Sequence, residues 1–319
     1  MSASVTQSPS LSRTALVSLL LGLASIFLLI ITGVPAMVLG LRGLRAVNGS
    51  DGRLRGRGLA VTGLVLGGLG TLLTILGAGA IVALRLREMS NRTMSLNNLR
   101  EIGVSLNKYA DANGHFPCGT WPSLTLPEQR RVGWMAEVVP FLGEGTEANE
   151  EYQKLARRIH RRKAWDAPAN EPVVQTVVRP FLCLGHPDFR PNTPPGLSHY
   201  TGLAGVGTDA PLLSRKNPRA GAFGTDRGIK RREAQAGISF CLVAVETAYD
   251  NGPWLCGLPA TVRGVPRREE ELFGPERPFG GIYQGGFHAL WLDGSARWLS
   301  DATPADLFRE QATLIGRDE

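Results

Sequence analysis

The 319 residues carry a formal net charge of +7, which by itself suggests a nucleic-acid partner. The charge is unevenly divided: residues 1–87 hold eight Arg and one Asp, and residues 88–319 hold 27 basic and 27 acidic side chains. A neutral domain behind a basic, apolar N-terminal region argues against nucleic acid and for a membrane.

In chain order, residues 1–13 read as a disordered tail. Thr14 to Leu41 and Gly58 to Leu84 contain no charged residue, and each exceeds the about 20 residues that cross a bilayer. Pro35 and the several glycines are tolerated in membrane helices. A cleaved signal peptide is the competing reading of the first stretch. Its apolar core is too long and no Ala-x-Ala site follows. Gly63, Gly67 and Gly70 are spaced for close helix approach. Residues 42–57 form a short loop with five arginines. Such loops stay cytoplasmic, which places both termini and the C-terminal domain outside the inner membrane. The expected anchor is therefore a two-helix hairpin over residues 14–87, with spans 14–41 and 58–84.

From Met94 to Ala110, apolar residues at Leu96, Leu99, Ile102, Val104, Leu106 and Tyr109 fall near helical spacing. Asn113-Gly114 and Pro117 end that stalk helix. The rest, to residue 319, reads as a globular domain. Strand candidates are Val173 to Val178, Ile238 to Glu246, and the pair flanking Asp293-Gly294. A two-residue turn pairs Leu292 with Ser295, Leu290 with Arg297 and His288 with Leu299. Phe287, Ala289, Trp291, Ala296 and Trp298 then form the core face. Long Pro- and Gly-rich stretches, Arg190 to Gly196, Ala210 to Gly228 and Asn251 to Gly280, separate the strands and read as loops. The expected fold is α+β: a transmembrane helical hairpin, then a long stalk helix packed on an antiparallel sheet with large loops, some of them poorly ordered.

Side chains with chemistry are few in pattern. His288 and Asp293 point to opposite faces of a strand, and Asp293 has a turn to make. Cys183-Leu184-Gly185-His186-Pro187-Asp188 gathers ligand-type residues but lacks the second cluster a zinc site needs. There is no Gly-x-Ser-x-Gly elbow and no P-loop. Glu269-Glu270-Glu271 and the basic runs at 157–163 and 230–232 read as solvated surface. No catalytic, cofactor or metal residue is assigned. Cys118, Cys183, Cys241 and Cys256 allow three connectivities. Cys241–Cys256 and Cys118–Cys183 are the favoured bonds, with free buried thiols the alternative.

Two resemblances add to this. Val38-Leu39-Gly40-Leu41-Arg42-Gly43-Leu44, Gly52-Arg53-Leu54-Arg55-Gly56-Arg57-Gly58-Leu59-Ala60 and Thr62-Gly63-Leu64-Val65-Leu66-Gly67 resemble the two-span DUF4190 domain over residues 11–80. It implies a membrane anchor and no chemistry. Leu96-Asn97-Asn98-Leu99-Arg100-Glu101-Ile102 and Asp111-Ala112-Asn113-Gly114-His115-Phe116-Pro117 look like the start of the DUF1559 family of pilin-like, pseudopilin-like proteins. Ser198-His199-Tyr200-Thr201-Gly202, Val243-Ala244-Val245-Glu246 and Gly286-Phe287-His288 to Asp293-Gly294 continue the pattern, which runs from 94 to 300. The family's prepilin cleavage site is not matched: Gly58-Leu59-Ala60-Val61-Thr62-Gly63 has no Phe and no Glu.

The resulting expectation is a membrane-anchored, non-enzymatic pilin-like protein with an extracytoplasmic head, structural, adhesive or adaptor-like in the cell envelope. It is not processed by prepilin peptidase. Its partners would be the lipid bilayer and envelope or secretion-assembly proteins. The alternative is an envelope enzyme or ligand-binding sensor using His186, Asp188, His199 or His288 in a concave pocket among the loops.

Overall fold

The computed structural model describes residues 35, 37–46, 48–49, 57–187, 189, 195–232, 240–268 and 271–314. The chain divides into two compact units, Met1–Arg87 and Glu88–Glu319.

In the first unit residues 37–46 are helical, so Arg42 and Arg45 of the expected loop lie in helix, and helix α1 spans Arg57–Asn113. Gly40 lies so close to the start of α1 that a Cβ there would sit 3.0 Å from the Ala60 carbonyl oxygen. Among the described residues, one helix is long and apolar enough to cross a membrane. Leu72, Leu73, Ile75, Leu76, Ile81, Val82 and Leu84 are all exposed along it, the surface expected of a helix whose solvent is lipid. Thr62, Thr71 and Thr74 return their hydroxyls to the carbonyls of Gly58, Gly67 and Gly70, four residues back, at 2.8–2.9 Å. Even the polar side chains of this stretch are thus satisfied within the helix. Most of the expected first span, residues 14–41, lies outside the described residues.

In the second unit α1 continues to Asn113 and turns Ser95, Leu99, Ile102, Leu106 and Ala110 inward at helical spacing. Val104, expected on the packed face, is half exposed. The helix ends where Gly114 takes a φ of +75° and donates its N–H to the Ala110 carbonyl at 2.8 Å, a left-handed stop that glycine makes without strain.

The head contains a five-stranded sheet in the order β3-β1-β2-β4-β5. Its strands are β1 (Tyr200–Val206), β2 (Leu242–Glu246), β3 (Val262–Val265), β4 (Gly286–Trp291) and β5 (Ala296–Ser300). The sheet is mixed and not wholly antiparallel: β3 runs parallel to β1. The cause is topological. After β2 the chain passes over β1 and pairs on its far side, and a skipped strand reverses the relative direction. β3 lies inside the Asn251 to Gly280 stretch that the sequence reads as loop. Val173 to Val178 is not a strand: Glu171–Val174 forms one helical turn, opened by Pro172. Asn170, fully buried, ties that turn to the carbonyls of His160 and Ala164. Ile238 falls outside the described residues.

The β4–β5 hairpin is correct in position and shifted by one residue in register. Observed partners are Leu290 with Ala296, Ala289 with Arg297 and His288 with Trp298. The loop has three residues and not two, because Gly294 adopts φ +86° and donates to the Trp291 carbonyl while Trp291 donates to that of Ser295. The shift places Trp298 on the same face as His288, and not with Phe287, Ala289 and Trp291.

Both faces of the sheet are covered. Leu99, Ile102 and Leu106 of α1 join Tyr200, Ala204, Ala244 and Leu290 in one core. Leu203, Val245, Phe287 and Ala289 join Phe308 of helix α2 (Ala305–Gln311) in the other. The long loop after β1 is packed: Phe223 stacks on Trp134 with ring centroids 4.7 Å apart.

Candidate functional site

Beneath α1 the sheet presents a buried polar cluster centred on Glu246, the last residue of β2. β2 is buried along its whole length, and Glu246 is 0% exposed. Alternation along the strand sends Glu246 to the same face as Ala244, toward α1. Register then places Tyr200 opposite it on β1. The β2–β4 register brings His288 beside it.

The carboxylate is saturated by donors. His288 gives its backbone N–H to Oε2 at 2.5 Å, and its ring Nδ1 lies 3.0 Å from Oε1. Nδ1 therefore carries a hydrogen. Ser95 of α1 donates its hydroxyl to Oε1. That hydrogen being used, Tyr200 donates its own hydroxyl to Ser95 Oγ at 2.8 Å. Cys183 Sγ lies 3.9 Å from Oε1 and 3.1 Å from the Tyr283 hydroxyl. Outside these, Trp298 meets the His288 ring edge-on at 5.1 Å. The Arg92 guanidinium caps Trp298 at 4.6 Å.

A second group adjoins the first. The rings of His186 and His199 stack with centroids 3.8 Å apart. His199 Nδ1 accepts the Cys183 backbone N–H at 2.9 Å. The hydrogen of neutral His199 then sits on Nε2, which is buried and has no partner among the described residues. Burial, with the neighbouring His186 second, lowers the His199 pKa to about 3, so the ring stays uncharged.

Three of the four side chains singled out as candidates, His186, His199 and His288, thus gather around Cys183. Asp188 lies outside the described residues. The group is closed off from solvent. Ser95, Cys183, His199, Tyr200 and Glu246 are fully buried, and His186, His288 and Tyr283 are no more than 9% exposed. Burial and the Glu246 charge push the Cys183 thiol up to about 12, and the same two causes, with Cys183 between them, raise Tyr200. A thiol held protonated is a poor nucleophile. Among the described residues no group of three or more His, Cys, Asp or Glu is arranged to hold a metal ion. The oxygens of Glu246 already face N–H and O–H donors. The arrangement binds α1 to three strands through one carboxylate.

All four cysteines are free. The expected Cys241–Cys256 and Cys118–Cys183 bonds are absent, and each thiol packs in its own part of the fold. Glu246 itself is the residue that sequence reasoning passed over. Its signal was present: an acid directly after Leu242-Val243-Ala244-Val245, a run too apolar to be a surface strand.

A family model described as a protein of unknown function (DUF1559) matches residues 85–264. The chain belongs to this family. The DUF1559 match covers Ser95, Cys183, His199, Tyr200 and Glu246 and stops before Tyr283, His288 and Trp298. A second model, a domain of unknown function (DUF4190), matches residues 14–77, which with the apolar part of α1 makes this DUF1559 protein membrane-associated. No curated protein and no solved structure matches the chain.

Proposed function

We propose that this is a membrane-anchored, non-enzymatic pilin-like protein whose head stands outside the cytoplasmic membrane. It serves a structural, adhesive or adaptor role in the envelope, with secretion- or envelope-assembly proteins as partners. Both spans of the expected hairpin stay in the bilayer, and the chain is not cut by prepilin peptidase. One observation carries this reading. A single helix, Arg57–Asn113, holds the apolar stretch and also supplies Ser95, Leu99 and Ile102 to the head's core. Anchor and head are continuous, and the Glu246 cluster is spent on fastening that helix.

An envelope enzyme or ligand-binding sensor is the second reading, favoured by the gathering of His186, His199 and His288 around Cys183. Burial of the whole group and the protonated thiol speak against catalysis there.

Topology labelling tests the first reading. Cells carrying Gly49→Cys or Arg219→Cys are treated with a membrane-impermeant maleimide, with the unsubstituted chain as background. The expected result is labelling at 219 and protection at 49 until the membrane is opened. The reverse pattern puts the head in the cytoplasm and sinks the proposal. Intact mass of the purified protein checks processing, a shortened N-terminus being the contrary outcome.

A further inference from the structure

A cavity of about 480 Å³ opens beside α1, lined by one stripe of the helix, by the segment around Phe141 to Tyr152 and by Arg179 and Pro180. The size is that of a small-molecule site. Asn98, Glu101, Ser105 and Lys108 supply the helix stripe, three and four residues apart.

Some of the polar groups here are spent. Asn98 donates to the Leu182 carbonyl at 2.8 Å. Glu101 Oε1 accepts the Gly143 N–H at 2.8 Å. Lys108 pairs with Glu144. What remains is a matched set. Ser105, under the cavity wall, is fully buried, and its hydroxyl has no hydrogen-bond partner among the described residues. The second oxygen of Glu101, the Arg179 guanidinium and the Tyr152 hydroxyl make no hydrogen bond among the described residues. Both charges reach Tyr152: burial first, then the Glu101 charge, raises it to about 12 against the opposing pull of Arg179. Val104, Phe141 and Pro180 add apolar wall to the same cavity.

We propose that this cavity binds a small zwitterion, an ammonium and a carboxylate on an apolar frame, the chemistry shared by apolar amino acids and short peptides. Glu101 takes the ammonium. Arg179 takes the carboxylate, for which its planar guanidinium offers paired donors. Tyr152 supplies a hydroxyl donor to the same end. A ligand with one charge leaves the opposite protein charge uncompensated, which is the source of selectivity. The site is on the helix flank, where Asn98 stands between the cavity and Tyr200 of the Glu246 cluster, and the inference holds whichever side of the membrane the head occupies.

The test is calorimetric titration of the full chain in phosphatidylcholine nanodiscs. The probes are L-leucine, the dipeptide Leu-Leu, L-leucinamide, which lacks the carboxylate, and N-acetyl-L-leucine, which lacks the ammonium. The expected result is saturable binding of L-leucine or Leu-Leu, the tighter of the two naming the source. Each single-charge analogue should bind about tenfold or more weakly. Arg179→Ala, at an exposed position, should weaken the zwitterion by a similar factor with an unchanged melting temperature. Glu101→Gln, which keeps an acceptor for Gly143, should weaken it also. No binding of either zwitterion at millimolar concentration overturns the proposal. So does equal binding of the analogues, or binding that Arg179→Ala leaves untouched.

Discussion

His288 meets Glu246 twice, through its backbone N–H at 2.5 Å and its ring Nδ1 at 3.0 Å. The pair is sealed from water, and Ser95 of α1 closes it from the helix side. Removing the carboxylate leaves buried donors on both sides without an acceptor. Glu246→Ala should cost about 3–5 kcal/mol of unfolding free energy, and Ser95→Ala about 1–3 kcal/mol. Denaturant unfolding followed by near-ultraviolet circular dichroism measures both. A smaller loss for Glu246→Ala than for Ser95→Ala contradicts its place as the hub.

Gly103 sets how closely α1 approaches the β4–β5 hairpin. A Cβ there would stand 2.7 Å from Leu290 Cδ1 and 2.9 Å from the Gly294 carbonyl oxygen. The leucine methyl can turn away, but the Gly294 backbone cannot. Gly103→Ala should therefore destabilise the head by about 1–3 kcal/mol through overpacking, read as a lowered melting temperature. An unchanged value would mean that the helix lifts from the sheet at little cost.

Acid should weaken the fold through His199. Its pKa is near 3 in the folded chain against an ordinary 6.5, so between those values the unfolded chain holds the extra proton. Stability from this group is full above about pH 6.5 and falls as pH drops toward 3, by up to about 1.4 kcal/mol per unit. His199→Gln should flatten that limb of the curve. A parallel curve for the variant assigns the acid sensitivity elsewhere.

The thiols give the opposite limb. Burial raises Cys183, Cys241 and Cys256 to about 12 from an ordinary value of 9. Above pH 9 the unfolded chain loses protons that the folded chain keeps, and stability falls as pH rises. At pH 8 a disulfide-exchange reagent should find at most the half-buried Cys118 in native protein and all four thiols after unfolding. Fewer than four on unfolding would reveal a disulfide.

How much of this was readable beforehand differs by element. The stalk was legible because Leu99, Ile102 and Leu106 repeat at the helical period, and that period survives any tertiary arrangement. The Asp293-Gly294 turn was legible as a hairpin, yet its register was not. Two-residue and three-residue loops share the same dipeptide, and only the left-handed φ of Gly294 selects between them. Val173-Val174 illustrates the remaining ambiguity: a short apolar run suits a strand or a helical turn equally. The anchoring of Asn170 decides for the turn.

The sequence alone determined the division of the chain, its apolar stretch and its family, because charge, hydropathy and ordered motifs are properties of the chain itself. Only the tertiary structure decided that Glu246, His288, Cys183 and Ser95 share one site. They lie up to 193 residues apart, and what joins them is strand register and the face to which each side chain turns. The same holds for Ser105, which reads as one more polar position on a helix until the fold buries it against a cavity without a partner.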